Sequence, residues 1–368
     1  MFGTILLSAV TLMHVYVFWR VSSVPFLRRH VPLKFLAGTG VVFWVVFALG
    51  RFFGHGSTGV LAGTLELFGM DWMAVMFLAT VSLLAIDLIT TFGLLLPRLA
   101  PSLRGLALLA AGALSLIALV QGMRPPVVQE YEVRLSGLPR EMDGTVLIAM
   151  SDLHLGTLLG RQWLDARVAQ VQAGHPDLVV LLGDIFEGHG EPQKELIQVL
   201  HRLSAPLGVW AVLGNHEYYG RDTSGTPLMN IDGVRVLINS WAEVRPGLVL
   251  AGVADLTANH RSGQGGDPIT KALTGRPAGA TILLSHTPWQ AEKAAGAGTG
   301  LMLSGHTHGG QIWPFGYLVQ RIYPLLEGRY DVDGMTVIVC RGTGTWGPRM
   351  RLWRQGEILR VTLRAEGK

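Results

Sequence analysis

Two hydrophobic patterns divide the chain. The first 126 residues carry four long apolar runs: Gly3–Trp19, Phe35–Leu49, Trp72–Leu96 and Leu106–Val120. A helix that crosses the hydrocarbon core needs roughly 20 mostly apolar residues. The first and third runs meet that length cleanly. The second reaches it only with Arg51–Phe53 at its edge, and the fourth relies on small residues. The pattern predicts a region of about four transmembrane helices over residues 1–123. A cleaved signal peptide fits poorly, because no positive stretch precedes the first run.

From Thr145 onward the runs become short and are punctuated by glycine. Candidate strands are Thr145–Met150, Leu178–Leu182, Val209–Leu213, Leu248–Val253, Thr281–Leu284, Leu301–Leu303, Thr336–Val339 and Ile358–Leu363. Helical patterns fall at Gln162–Ala173 and Glu191–Leu203. Continuous apolar strands alternating with helices indicate an α/β fold with sheets buried under helices. Arg124-Pro-Pro-Val reads as a linker, so residues 124–144 are expected to hold the linker and a first strand. Residues 145–368 then form the second domain.

Polar residues fall at the ends of five of these strands. Ser151 leads into Asp152-Leu-His154, and Gly183 into Asp184. Gly214 leads into Asn215-His216-Glu217, Ser285 into His286, and Gly305 into His306-Thr-His308. The carboxyl ends of strands in open α/β sheets form the ligand crevice, so these side chains should converge. Oxygen and nitrogen donors without thiolate suit Mn, Fe or Zn better than Mg. Asp152 and His154, one residue apart in an extended segment, point to the same side, as do His306 and His308. Two neighbouring metals need a bridging carboxylate, and such a pair clamps the attacking and leaving oxygens of a displacement at phosphorus. Gly183, Gly214, Gly305, Gly309 and Gly310 allow sharp turns and close approach beside these donors.

Composition and charge refine the picture. Only 15% of residues are charged, against about 25% in ordinary soluble domains. Residues 1–126 hold 8 Lys/Arg against 3 Asp/Glu, and the remainder 22 against 23. The basic excess therefore belongs to the apolar half, and no nucleic-acid partner is expected. Arg20, Arg28, Arg29 and Lys34 lie in the first connection, Arg51 in the second, Arg98 and Arg104 in the third. The positive-inside bias makes the first and third connections cytoplasmic. The N-terminus and the C-terminal domain then share the periplasmic or extracellular side of an inner or cell membrane. Cys340 is the single cysteine, which excludes an intramolecular disulfide and a cysteine-cluster metal site. Asp87, inside the third run, is expected to hydrogen-bond a Thr or Ser neighbour, and His14 to reach the interface.

Asp152-x-His154, Gly183-Asp184, Gly214-Asn215-His216-Glu217, His286 and Gly305-His306-x-His308 resemble, in order, the signature blocks of the calcineurin-like metallophosphoesterases. The resemblance spans about residues 145–310. Gly-Gly-Gln311 and Gly344-Thr-Trp346-Gly resemble the membrane-associated bacterial branch. The resemblance implies a four-layer α/β/β/α sandwich and two divalent metal ions. By it, Asp152, His154, Asp184 and His308 hold the first ion, Asp184 bridges, and Asn215, His286 and His306 complete the second. His216 would be the catalytic residue beside the phosphate. Glu187 and Glu217 stand where many members have Asp, which changes the geometry supporting the ligands.

The reading that follows is a membrane-anchored phosphohydrolase cleaving a phosphoester or pyrophosphate bond, with a lipid-linked substrate favoured over a free nucleotide. The alternative is a membrane-bound metal- or ligand-binding sensor or scaffold without turnover. A transporter with an accessory outer domain would rest on Asp87 alone. Arg341, Arg349, Arg351 and Arg354 offer either an anion-binding surface or ordinary salt bridges. Trp289, Trp313 and Trp346 flank the proposed site and are expected to pack in the core. His189 is left unassigned, and His260–Gly266 reads as a loop.

Overall fold

The computed structural model describes residues 2–54, 59–187, 193–218, 227–262 and 266–366. They form two compact units, one of residues 1–124 with 347–353, the other of residues 125–346 with 354–368.

The helical unit contains α1 (Phe2–Val21), the short α2 (Pro25–His30), α3 (Leu33–Leu49), α4 (Val60–Ile89) and α5 (Ala100–Met123). A π-turn, Gly50–Gly54, extends α3. Four helices, Gly3–Val21, Leu33–Gly54, Val60–Ile89 and Ala100–Met123, are long and apolar enough to cross a membrane. The third lies upstream of the predicted run. Thr91, Phe92 and Gly93 adopt positive φ and break it after Ile89, so Leu94–Leu96 are outside the helix. Gly50 allows α4 to come close, because a Cβ there would stand 2.2 Å from Leu65 O.

Two expectations for polar residues in this unit are corrected. His14 is buried, with Nε2 2.8 Å from Gly40 O, and does not reach an interface. Asp87 is also fully buried, but its partners are not Thr or Ser. Tyr16 donates to Oδ2 at 2.6 Å, Arg20 Nε lies 2.6 Å from the same oxygen, and Arg104 Nε donates to Oδ1 at 2.9 Å. Residues 347–353, expected within the second domain, pack with the helices. The Arg349, Arg351 and Trp353 amides donate to Asp71 Oδ1, Ala118 O and Gln121 Oε1. Met350 and Leu352 are buried beside them.

Among its described residues the second unit contains twelve strands: β1 (Val127–Leu135), β2 (Val146–Met150), β3 (Leu178–Leu182), β4 (Val209–Val212), β5 (Val234–Val236), β6 (Ser240–Arg245), β7 (Leu248–Gly252), β8 (Ala280–Leu284), β9 (Leu301–Ser304), β10 (Gly328–Val332), β11 (Met335–Val339) and β12 (Glu357–Ala365). They make two six-stranded sheets, ordered β1-β12-β2-β3-β4-β5 and β10-β11-β9-β8-β7-β6. Strands β2 to β5 are parallel in the first, and β7, β8, β9 and β11 in the second.

Strand periodicity then determines the layers. Leu147 and Ala149 of β2 join Leu250, Ile282, Leu284 and Leu303 in one core between the sheets. Their alternates Ile148 and Met150 pack instead with Leu164, Val168 and Val171 of helix α6 (Arg161–Ala173) and with Leu196, Val199 and Leu200 of α7 (Lys194–Leu200). On the opposite face, Leu283 and Met302 pack with Ile269 of α9 (Pro268–Leu273) and Ala291 of α10 (Ala291–Gly296). Helix α8 (Leu256–Ser262) follows β7, and α11 (Gly316–Gln320) follows β9. The result is the α/β/β/α sandwich.

Candidate metal centre

Parallel pairing puts the carboxyl ends of β2, β3 and β4 side by side in one sheet, and those of β8 and β9 in the other. The loops leaving them are then bonded together. The amides of Asp152 and His154 donate to Gly183 O and Asp184 O, each at 3.0 Å, and the Gly305 amide donates to His286 O at 2.9 Å. Asp152, His154, Asp184, His306 and His308 all have φ between 44° and 72°. That left-handed region costs a non-glycine residue roughly 1–2 kcal/mol, so five adjacent instances mark backbone held by its surroundings to aim side chains.

Three overlapping groups of ligand atoms result. Asp152, His154 and His308 form one, Asp184, His286 and His306 another, and His154, Asp184 and His216 a third; the atoms of each lie within 4.8 Å of one another. The Nε2 atoms of His154 and His308 are 3.1 Å apart, and His308 Nε2 is 3.3 Å from Asp152 Oδ1. His286 Nε2 lies 3.3 Å from Asp184 Oδ2 and 3.2 Å from His306 Nδ1. Asn215 is buried at the start of a short turn directly after β4. Glycines make room for this crowding. A Cβ at Gly214 would stand 2.2 Å from Asp184 Oδ1, and one at Gly305 1.8 Å from Ser151 Oγ.

Supporting hydrogen bonds fix the rings. His286 Nδ1 donates to Leu182 O at 2.7 Å, which aims Nε2 at Asp184. Glu187 Oε2 accepts from His154 Nδ1 at 2.5 Å and lies 3.2 Å from His216 Nδ1. One carboxylate therefore orients the His154 and His216 rings together. Glu217 accepts from the amides of Asp184, Ile185 and Gly214 at 2.8–2.9 Å, and from Phe186 at 3.3 Å. It clamps the loops after β3 and β4 to each other.

The electrostatics are those of a buried negative site. Burial pushes the Asp184 carboxyl up, but His286, His216 and His154 outweigh it and hold it well below the usual range. Glu187 behaves alike, burial opposing and then yielding to His216 and His154. Asp152 is pushed up, by burial first and by Asp184 besides. For Glu217, burial and then Asp184 act in the same upward direction. Burial lowers His286 while Asp184 and Asp152 raise it further, leaving it well above 6.5. His306 falls to about 4, through burial and then the neighbouring His286. Two carboxylates, four imidazoles and a carboxamide, with no thiolate, form a donor set suited to divalent cations. Binding them would displace any proton on those imidazoles.

The family model for calcineurin-like phosphoesterases matches residues 145–310. An uncharacterized metallophosphoesterase of Aquifex aeolicus is 33% identical over 245 residues, which cover 65% of this chain and 92% of that one. The chain belongs to the calcineurin-like phosphoesterase family. A Bos taurus transmembrane protein with a metallophosphoesterase domain is 36% identical over 277 residues, 71% of this chain. The chain spans 62% of the length of that relative. A solved dimetal phosphatase of Danio rerio aligns at TM-score 0.35 with 14% identity, covering 55% of this chain and 88% of that one.

Within this phosphoesterase unit, sequence reasoning missed two residues. Tyr323 places its hydroxyl 2.8 Å from His306 Nε2 and stacks on Trp289. Asp255 is fully buried and accepts from Thr287 Oγ1 at 2.6 Å, beside His286. Neither follows a patterned block, although Asp255 does come three residues after β7. Of the arginines, Arg341 pairs with Glu357 at 2.7 Å and Arg354 with Glu327 at 2.6 Å, ordinary salt bridges. Trp313 is 46% exposed rather than in the core. His189 lies outside the described residues, as do residues 263–265 of the expected loop; His260–Ser262 end α8.

Proposed function

We propose that the chain is a membrane-anchored phosphohydrolase that cleaves a phosphoester or pyrophosphate bond on a lipid-linked substrate at a dinuclear metal site. The observation that carries this reading is Asp184, a buried carboxylate shared by the His286–His306 group and the His154–His216 group. Asp152, His154, Asp184 and His308 would hold one ion. Asp184, Asn215, His286 and His306 would hold the other. Bound there, two divalent cations lower the pKa of water and neutralise charge on phosphoryl oxygens.

The chain's own groups do the rest. Glu187, kept ionised, accepts a hydrogen bond from His216 Nδ1–H and so favours the imidazolium, whose Nε2–H can then pass its proton to a leaving oxygen or donate a hydrogen bond to a phosphoryl oxygen. Glu217 holds the two ligand loops at fixed separation through four amides. Four apolar helices confine the domain to a bilayer, where a lipid-borne phosphate is concentrated in the same plane. Arg20, Arg28, Arg29, Lys34, Arg98 and Arg104 against Arg51 favour a domain on the outer face.

A second reading has a specific observation behind it. His154, Asp184 and His216 also form a ligand-like group, which would make His216 a ligand. Metal analysis of the His216→Ala protein separates the two. Two ions retained with turnover lost keeps His216 as proton donor, and an ion lost makes it a ligand. Comparing detergent-dispersed lipid phosphates with soluble nucleotides on purified full-length protein tests the substrate class. A preference for nucleotides would reject the lipid assignment.

A further inference from the structure

Apolar surface is concentrated in one place on the phosphoesterase unit. Among the described residues of that unit, eight large hydrophobic side chains are exposed, and five of them lie in the ten residues 313–322. They are Trp313 (46%), Phe315 (42%), Tyr317 (66%), Leu318 (62%) and Ile322 (61%). The stretch 311–326 contains no acidic residue, and Arg321 is its single charge.

The segment is folded rather than loose. Phe315 and Tyr317 amides donate to Ile312 O and Pro314 O, and the Tyr323 amide donates to Val319 O. Both of its ends are fastened to the metal-ligand loop. At the first, Gly310 packs so closely that a Cβ would stand 2.2 Å from Gly316 Cα. At the second, Tyr323 reaches His306, and Trp289 Nε1 donates to Ile322 O at 3.3 Å. Hydrogen bonds thus hold a folded segment whose exposed side chains are aromatic and aliphatic.

We infer that residues 313–322 form a bilayer-docking surface that inserts at headgroup depth in the membrane holding the chain. The same chain carries four apolar spanning helices, so a bilayer is always its neighbour. Trp, Tyr and Phe with a lone Arg are the composition that partitions to the membrane interface. The consequence for access rests on the function proposed above: a lipid phosphate would reach His306 and its neighbours without leaving the headgroup layer.

The test uses full-length protein in phosphatidylcholine–phosphatidylglycerol nanodiscs. A fluorophore is placed on Leu318→Cys, with Tyr317→Cys as a second site and the exposed Glu195→Cys as control, all in a Cys340→Ser background. Labels at 317 and 318 should be quenched by nitroxide lipids and shielded from aqueous iodide several-fold relative to 195. Equal iodide quenching at all three sites overturns docking. Shielding without lipid quenching also overturns it and points to a second copy of the chain. This readout needs no turnover, so its failure is distinct from failure of the proposed function. For access, Tyr317→Asp and Leu318→Asp should lower turnover of vesicle-borne lipid phosphate about tenfold and leave a soluble aryl phosphate unchanged. Equal effects on both substrates, or none on either, overturn the access route.

Discussion

Two buried clusters of ionisable groups, one in each unit, solve the cost of burying charge in opposite ways. In the helical unit, Asp87 meets Tyr16, Arg20 and Arg104, and both its oxygens are taken by protein donors. All four residues sit on regular helices. In the phosphoesterase unit, Asp152 and Asp184 instead face imidazole nitrogens that also converge on one another, and the backbone beneath is left-handed at five of the clustered residues. The first cluster closes on itself, as a buried charge must to be tolerated. The second gathers electron pairs around shared points, an arrangement that becomes favourable when cations fill it. Burial and charge alone mark both clusters. Strained backbone and convergent lone pairs mark only the second, and those distinguish a site from a fastener.

Substitution of the central aspartates should separate them most sharply. Asp184→Asn is expected to abolish hydrolysis, a loss of more than about 10³-fold, and to lower bound metal by elemental analysis, because on the proposed assignment this carboxylate would serve both ions. His216→Ala should slow turnover by roughly 10²–10⁴-fold with both ions retained. Asp87→Asn should leave hydrolysis of a soluble ester near its original rate in detergent, since its partners Tyr16, Arg20 and Arg104 all lie in the helical unit. Its effect is on stability: stranding two arginines costs about 3–5 kcal/mol, read as a lowered Tm. Loss of hydrolysis with normal Tm in Asp87→Asn would break the comparison.

Glu217→Gln probes the support rather than the ligands. The amide keeps the shape but turns one acceptor into a donor facing backbone amides that themselves donate. Loss of such support weakens metal affinity by about 10–100-fold, which titration with a metal-chelating competitor would read. Unchanged affinity would mean that the loops after β3 and β4 hold their separation without it.

How much of this was legible along the chain follows from which contacts are local. The apolar strands ending in Asp152, Asp184, Asn215, His286 and His306 were visible because parallel pairing brings carboxyl ends together automatically. The partners of Asp87 were not, because Tyr16, Arg20 and Arg104 lie on other helices and no spacing rule links them. Tyr323 and Asp255 were missed for the same reason. Strands β5, β6 and β10 are half-exposed, so they lack the continuous apolar runs that identified the others. The end of α4 was misplaced because Leu94–Leu96 are as apolar as the helix, while the break depends on backbone at Thr91–Gly93.

A carboxylate outside both clusters calibrates them, because it is only part-buried. Asp267 caps α9, accepting from the Thr270 amide at 3.1 Å, and pairs with Lys293. Slight desolvation acts upward, but hydrogen bonds from Lys293 and Thr270 pull its carboxyl from 3.8 to about 2. A folded-state value below the unfolded one stabilises the fold above pH 3.8, and that contribution is lost as pH falls from about 4 through 2. Solvent screens the ion pair, so the cap itself should dominate: Asp267→Ala is expected to cost about 1 kcal/mol near neutral pH. The deficit should shrink as the wild-type carboxyl protonates, so denaturation curves of the two proteins should converge in acid. Because no other charge depends on Asp267 for burial, its removal should leave metal content and turnover untouched. A loss near that of Asp87→Asn would mean that exposure does not set the scale on which the two buried clusters are compared.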